Sequence, residues 1–174
     1  MDLDAFAKHF TSRLKMACVV YGNRGLGDSD TGPGQPRQEI VPDLQVADIS
    51  DAITFAQSRS EVDPERIGAW GKALGSKSAW KNEVTLKSLE LFRAHDPSAW
   101  IHRISLTPLL MTVAENDVLT PTDLALEAYS RAREPKQLSI LPGGHFDAYT
   151  GNNFERNVAR QIKFLKEYLG VDDN

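Results

Sequence analysis

The stretch Pro108-Leu109-Leu110-Met111-Thr112-Val113-Ala114-Glu115-Asn116-Asp117 decides the fold class. Seven mostly aliphatic residues, stopped by three polar ones, read as a buried strand that opens into a loop. Downstream, Thr122 to Arg133 reads as a helix. Asp123 sits in its first turn, with Arg131 and Arg133 in its last, which suits the helix dipole. Gln137 to Leu141 reads as another strand, and Phe154, Val158, Ile162, Leu165 and Leu169 form one stripe of a closing helix.

Upstream the same grammar repeats. Leu3, Phe6, Phe10 and Leu14 recur at helical spacing, and Ala17-Cys18-Val19-Val20-Tyr21 reads as a short buried strand. Gly22 to Pro36 is a loop by its glycines and prolines. Pro42 and Asp43 open a helix with Val46, Ile49, Ile53 and Ala56 on one face. Val62 to Glu65 is a turn, and Arg66-Ile67-Gly68-Ala69-Trp70-Gly71 is a further strand. Helices are expected from Ala73 to about Trp80 and from Leu86 to Ala94. Strand and helix thus alternate four times, which predicts an α/β fold: a mostly parallel sheet of about four strands, flanked by helices and joined by right-handed crossovers. Ligands of such sheets sit at the carboxyl ends of the strands. The residues to inspect therefore follow Tyr21, Trp70, Ala114 and Leu141.

The 174 residues predict a single domain over 1–174. Apolar residues at 41% and charged residues at 25% are those of an ordinary globular chain. A net charge of -4 gives no global attraction to nucleic acid or anionic lipid. No run approaches the roughly 20 apolar residues that cross a bilayer, so no membrane partner is expected. Cys18, the single cysteine, can form neither an intrachain disulfide nor a cysteine-rich zinc site. The acidic start Met1-Asp2-Leu3-Asp4 and the end Gly170-Val171-Asp172-Asp173-Asn174 carry no targeting signal, so a cytoplasmic protein is expected.

The strand ends carry the chemistry. Tyr21 to Ser29 spaces its glycines G-x-x-G-x-G, not the dinucleotide order, and no cofactor is expected there. Gly71-Lys72-Ala73-Leu74-Gly75 has the frame of the nucleophile elbow G-x-S-x-G, whose glycines permit a sharp strand-to-helix turn. Its central residue is Ala73, which offers no nucleophilic atom. Asp117 follows the third strand, and His145 follows the fourth within Pro142-Gly143-Gly144-His145-Phe146. Elbow, acid, histidine is the chain order in which a carboxylate orients an imidazole that takes the nucleophile's proton. The simpler reading of Asp117 is a turn carboxylate ahead of the helix near Pro121, and that of His145 a loop histidine at a glycine turn.

Together these segments resemble an α/β-hydrolase of the branch containing dienelactone-hydrolase-like proteins and fungal polyketide-transferase-type hydrolases. The resemblance rests on residues 21–29, 35–39, 62–71, 107–117 and 141–149, and covers most of the chain. It implies a triad whose acid is Asp117, whose base is His145 and whose nucleophile position is Ala73. The backbone N–H of Leu74 is the implied oxyanion donor. The chain departs from the pattern where relatives usually carry aspartate at Gly22, serine at Ala73 and glycine at Ser76. It begins at what is normally the first helix, after the N-terminal strands. Only 44 residues separate 73 from 117, too few for the usual extra strand and cap, whereas 28 between 117 and 145 is ordinary. A fold lacking N-terminal strands and cap is therefore expected. Ala73 reads as a lapsed elbow, with a deliberate serine-to-alanine replacement as the rival.

The other reactive residues are weaker candidates. Ser76 and Ser78 lack the elbow's strained exposure, and Lys72 acts as a nucleophile only if burial depresses its pKa. His9, His95 and His102 form no metal-ligand spacing, so no metal is expected. Trp70, Trp80 and Trp100 read as packing residues. Three functions follow: an ester or thioester hydrolase or acyltransferase for a small hydrophobic acyl or polyketide-like substrate; a cyclase, isomerase or decarboxylase using the His145–Asp117 dyad as base; or an inactive interaction subunit. A shortened sheet exposes edges, so a homodimer is expected to cover them.

Overall fold

The structure, a computed structural model, describes residues 3–71 and 84–174. The expected helix at 73–80, with Lys72, Ala73, Leu74, Ser76, Ser78 and Trp80, lies outside the described residues. The chain divides into two compact units, Met1–Thr11 with Ala17–His95, and Ser12–Met16 with Asp96–Asn174.

The first unit is helical among the described residues. Helix α1 (Leu3–Arg13) starts there, followed by α2 (Pro42–Gln57) and α3 (Leu86–Ala94). The helical spacing in the N-terminal sequence buries Phe6 and Phe10, whose rings lie 4.7 and 6.4 Å from that of Trp70. The loop from Gly22 onward is closed by its own backbone: Gly25 N–H donates to Asp30 O at 2.8 Å, and Gln38 N–H to Gly25 O at 3.0 Å. Gly25 and Gly27 adopt φ of 73° and 57°, conformations that favour glycine. Arg24 clamps Asp48 of α2 with Nε and Nη2, and Arg37 reaches the carbonyls of Ser29 and Gly27. Thr85 caps α3 by accepting the Ser88 N–H at 3.1 Å, as an N-cap hydroxyl does.

Two of the four expected strands are absent from this unit among the described residues. Residues 17–21 and 66–71 form no ladder. Val19 (52%), Val20 (45%) and Tyr21 (39%) are solvent-exposed instead of buried. An apolar, β-branched run becomes a strand only when a neighbouring strand takes its N–H and C=O groups, and among the described residues no strand pairs with either segment. Helix α2 forms as expected, but its apolar face is partly uncovered, with Val46 (58%) and Ile49 (44%) facing solvent.

The second unit is a βα-type layer. Strands β1 (Leu109–Ala114) and β2 (Lys136–Leu141) pair in parallel, Leu109 opposite Lys136 through Ala114 opposite Leu141. Helix α4 (Thr122–Arg131) makes the crossover, as a parallel pair requires. It stops before Arg133, because Ala132 turns to the extended region (φ -63°, ψ 147°). Lys136 Nζ closes its end, donating to Tyr129 O at 2.9 Å and Ala132 O at 2.7 Å where the helix dipole is negative. Helix α5 (Gly151–Leu169) ends at Gly170 with φ 59°, and buries Val158 fully. Val113, Ala128, Ala132, Leu141, Ala148 and Leu14 complete the apolar interior. Asn157 is also buried there. It donates to Ala148 O at 3.2 Å and accepts from Gln161 Nε2 at 2.6 Å, so its amide is satisfied. No described helix is long and apolar enough to cross a membrane.

Candidate active site

The site begins where the sheet ends. The β1–β2 ladder runs on past both strands, with Glu115 N–H donating to Leu141 O at 2.8 Å and Asn116 N–H to Gly143 O at 2.9 Å. This brings the acid loop and the histidine loop side by side at the carboxyl edge, where a parallel sheet presents its functional residues. Gly143 makes the approach possible. Its φ is 98°, and a Cβ there would stand 2.9 Å from Cβ and Cγ of Asp147. Asp147 in turn accepts the Gly144 N–H at 2.7 Å, fixing the turn that delivers His145.

Asp117 and His145, 28 residues apart, meet at 2.7 Å between Oδ2 and Nδ1. Both side chains are largely buried, at 8% and 13% exposure. Asp117 is also a turn carboxylate: its Oδ1 accepts the N–H groups of Leu119 at 2.9 Å and Thr120 at 3.0 Å. The turn contacts and the contact with His145 thus use the same carboxylate. Its Oδ2 accepts a second hydrogen bond, from the Thr120 hydroxyl at 2.7 Å. Burial pushes the Asp117 carboxyl upward, but the Thr120 N–H and hydroxyl, His145 and the Leu119 N–H outweigh it. They hold the group well below the usual carboxylate range. An ionised carboxylate can only accept, so it orients His145 with the proton on Nδ1 and leaves Nε2 as the basic nitrogen.

Three contributors escaped the sequence reading. Thr122 Oγ1 accepts the Asp117 N–H at 3.1 Å and donates to Ala114 O at 2.8 Å, tying the acid loop to the end of β1. Thr120 lies against both members of the dyad, with Oγ1 3.2 Å from His145 Nδ1. Phe146 stands edge-on to the imidazole, ring centroids 4.8 Å apart. In the sequence Thr122 reads only as the start of a helix, and Thr120 stands in the turn before it without a signal of its own. Among the described residues no three His, Cys, Asp or Glu side chains gather as a metal cage.

No family model matches the chain. The polyketide transferase grgF of a Penicillium species is 40% identical over 237 residues, spanning 88% of this chain and 79% of the relative. The solved structure of the α/β hydrolase GrgF from Penicillium covers 84% of this chain and 78% of its own, with a TM-score of 0.65 at 20% identity. The chain belongs to the α/β-hydrolase superfamily, in its polyketide-transferase-type branch. The quorum-quenching protein AidA of Acinetobacter baumannii is 40% identical to this hydrolase-fold chain over 257 residues, 98% of the chain and 83% of AidA. The structure of DcsB, solved with a substrate analogue, shares the fold at a TM-score of 0.74 and 17% identity, over 84% of this chain. Several other curated relatives, fungal thiohydrolases and an acyltransferase among them, are matched over only about a fifth of their length.

Proposed function

We propose that this α/β-hydrolase chain descends from an acyl ester or thioester hydrolase or acyltransferase of secondary metabolism, acting on hydrophobic, polyketide-like substrates. His145 is the proton acceptor, Asp117 its orienting carboxylate, and Ala73 occupies the nucleophile position. The observation that carries this reading is the Asp117–His145 pair at 2.7 Å, buried at the carboxyl edge of the parallel ladder. Relatives named thiohydrolase, acyltransferase and polyketide transferase support the substrate class. So do Val118 (86%), Leu119 (62%) and Phe146 (52%), apolar side chains exposed beside the dyad.

Chemically, Nε2 of His145 can take a proton from a hydroxyl or from water, and Asp117 stabilises the imidazolium that results. With serine at position 73 the route is acyl transfer, the Leu74 N–H assisting the oxyanion. With alanine, the dyad acts on water directly, and only the residual catalysis of such sites is expected, about 10³–10⁴-fold over water. The match to AidA extends over more positions than this chain has residues, which supports an internal shortening. A homodimer covering the exposed apolar run Val19 to Tyr21 belongs to the same reading. Light scattering at micromolar concentration tests it, and a monodisperse monomer contradicts it.

The function is tested with p-nitrophenyl esters of several acyl lengths and the corresponding thioesters. Wild type is expected to be slow, Ala73→Ser faster, and Ala73→Ser with His145→Ala back at background. Activity in wild type that persists without His145 contradicts the assignment. The second reading, a cyclase, isomerase or decarboxylase run by the dyad alone, is favoured by the Asp117–His145 pair in a chain whose sequence has alanine at position 73. It predicts no gain on Ala73→Ser.

A further inference from the structure

The dyad has a third member. Thr120 Oγ1 lies 2.7 Å from Asp117 Oδ2 and 3.2 Å from His145 Nδ1, while Nδ1 and Oδ2 are themselves 2.7 Å apart. Three polar atoms thus form a closed triangle. A threonine hydroxyl carries a single proton, and an ionised carboxylate carries none. Asp117 is held ionised by its donors, so the hydroxyl proton goes to Oδ2. What Oγ1 then presents to the imidazole is a lone pair. Nδ1 thus faces two acceptor atoms, at 2.7 and 3.2 Å.

We propose that Thr120 is a positioning residue of the dyad, holding the imidazole of His145 through a three-centre hydrogen bond from Nδ1–H to Asp117 Oδ2 and Thr120 Oγ1. This rests on the reading of His145 as the proton acceptor, but its physical content does not depend on turnover. The hydroxyl acts in two ways. By donating to Oδ2 it draws charge from the oxygen that faces the histidine, and by accepting it takes part of the Nδ1 proton. Both moderate the His145–Asp117 bond, which would otherwise be a single charge-assisted contact. The two acceptors belong to side chains three residues apart in one turn and approach Nδ1 from different directions, so they also fix the ring plane and the direction of Nε2. The backbone N–H of Thr120 already binds Oδ1, so one residue grips both oxygens of the carboxylate.

The test is the proton and nitrogen spectrum of His145 in full-length protein carrying ¹⁵N-labelled histidine. It is recorded at about pH 9, above the ordinary histidine range near 6.5. The signal is assigned by its loss in His145→Ala. Wild type is expected to show Nδ1 protonated and Nε2 bare. Thr120→Val removes the hydroxyl, leaves Oδ2 as sole acceptor and should move the Nδ1 proton downfield. Thr120→Ser should restore the wild-type position. Thr120→Ala serves the same comparison if valine disturbs the turn.

A purely structural threonine would loosen the contact when removed, shifting the proton upfield or losing it. Such an upfield shift or loss, an unchanged position, or a proton on Nε2 in wild type each overturns the proposal. Failure of the ester assays while the spectral pattern holds would instead reject the hydrolase reading and leave the three-centre bond standing.

Discussion

Replacing Gly143 with alanine tests how the histidine loop is built. The backbone there has φ 98°, beyond the narrow left-handed region that L residues enter, and such strain costs on the order of 2 kcal/mol. The added Cβ also comes within 2.9 Å of Cβ and Cγ of Asp147, so that side chain must move. Moving it breaks the hydrogen bond from Gly144 N–H, 2.7 Å long at an exposed position, for about 1 kcal/mol more. The total is about 3 kcal/mol, a large share of the roughly 5–15 kcal/mol that stabilises a domain. With a urea slope of about 2 kcal/mol per molar, the midpoint should fall by about 1.5 M. Asp147→Gly removes the hydrogen bond together with the Cβ that the new methyl would meet, and in that background Gly143→Ala should cost only the strain, about 2 kcal/mol. Urea unfolding followed by circular dichroism reads all four corners of the cycle. A Gly143→Ala cost below about 1 kcal/mol, or no coupling to Asp147, refutes the reasoning.

Further expectations concern the acid loop and the interior. Thr122→Val keeps the side-chain shape but orphans Asp117 N–H and Ala114 O, and should cost about 1–2 kcal/mol by chemical denaturation. Asn157→Ala strips the buried amide that serves Ala148 O and Gln161, and should cost about 2–3 kcal/mol by the same measurement. Because the folded-state pKa of Asp117 is depressed, its stabilisation is complete above the unfolded value near 3.9 and is lost as pH falls through the folded value. Wild type should therefore lose more stability than Asp117→Asn on acidification below about pH 5. Equal losses in the two proteins would show that the carboxylate is not held by its donors.

The second unit was legible in the sequence because its signals are local. Apolar runs at 109–114 and 136–141 find each other across one helix, and the stripe on α5 buries Val158. The dyad was legible for a related reason. Strand ends are readable, and a parallel pair in register places the residues after them together. Residues 17–21 show the limit. Their composition states a willingness to be a strand, but pairing depends on a neighbour, and the sequence of one segment does not say whether that neighbour exists. Val46 and Ile49 on α2 make the same point, since periodicity marks a face without saying what covers it. Thr120 was missed because its role arises from three atoms meeting at a turn, a geometry that no spacing rule encodes.

His145, held by Asp117, is proposed as the proton acceptor of a hydrolase site with Ala73 at the nucleophile position. Reaction with a fluorophosphonate, read as an adduct in the intact mass, tests it most directly. No adduct is expected in wild type, an adduct in Ala73→Ser, and none in Ala73→Ser combined with His145→Ala. A folded Ala73→Ser protein that stays unlabelled, or one labelled equally without His145, would contradict it.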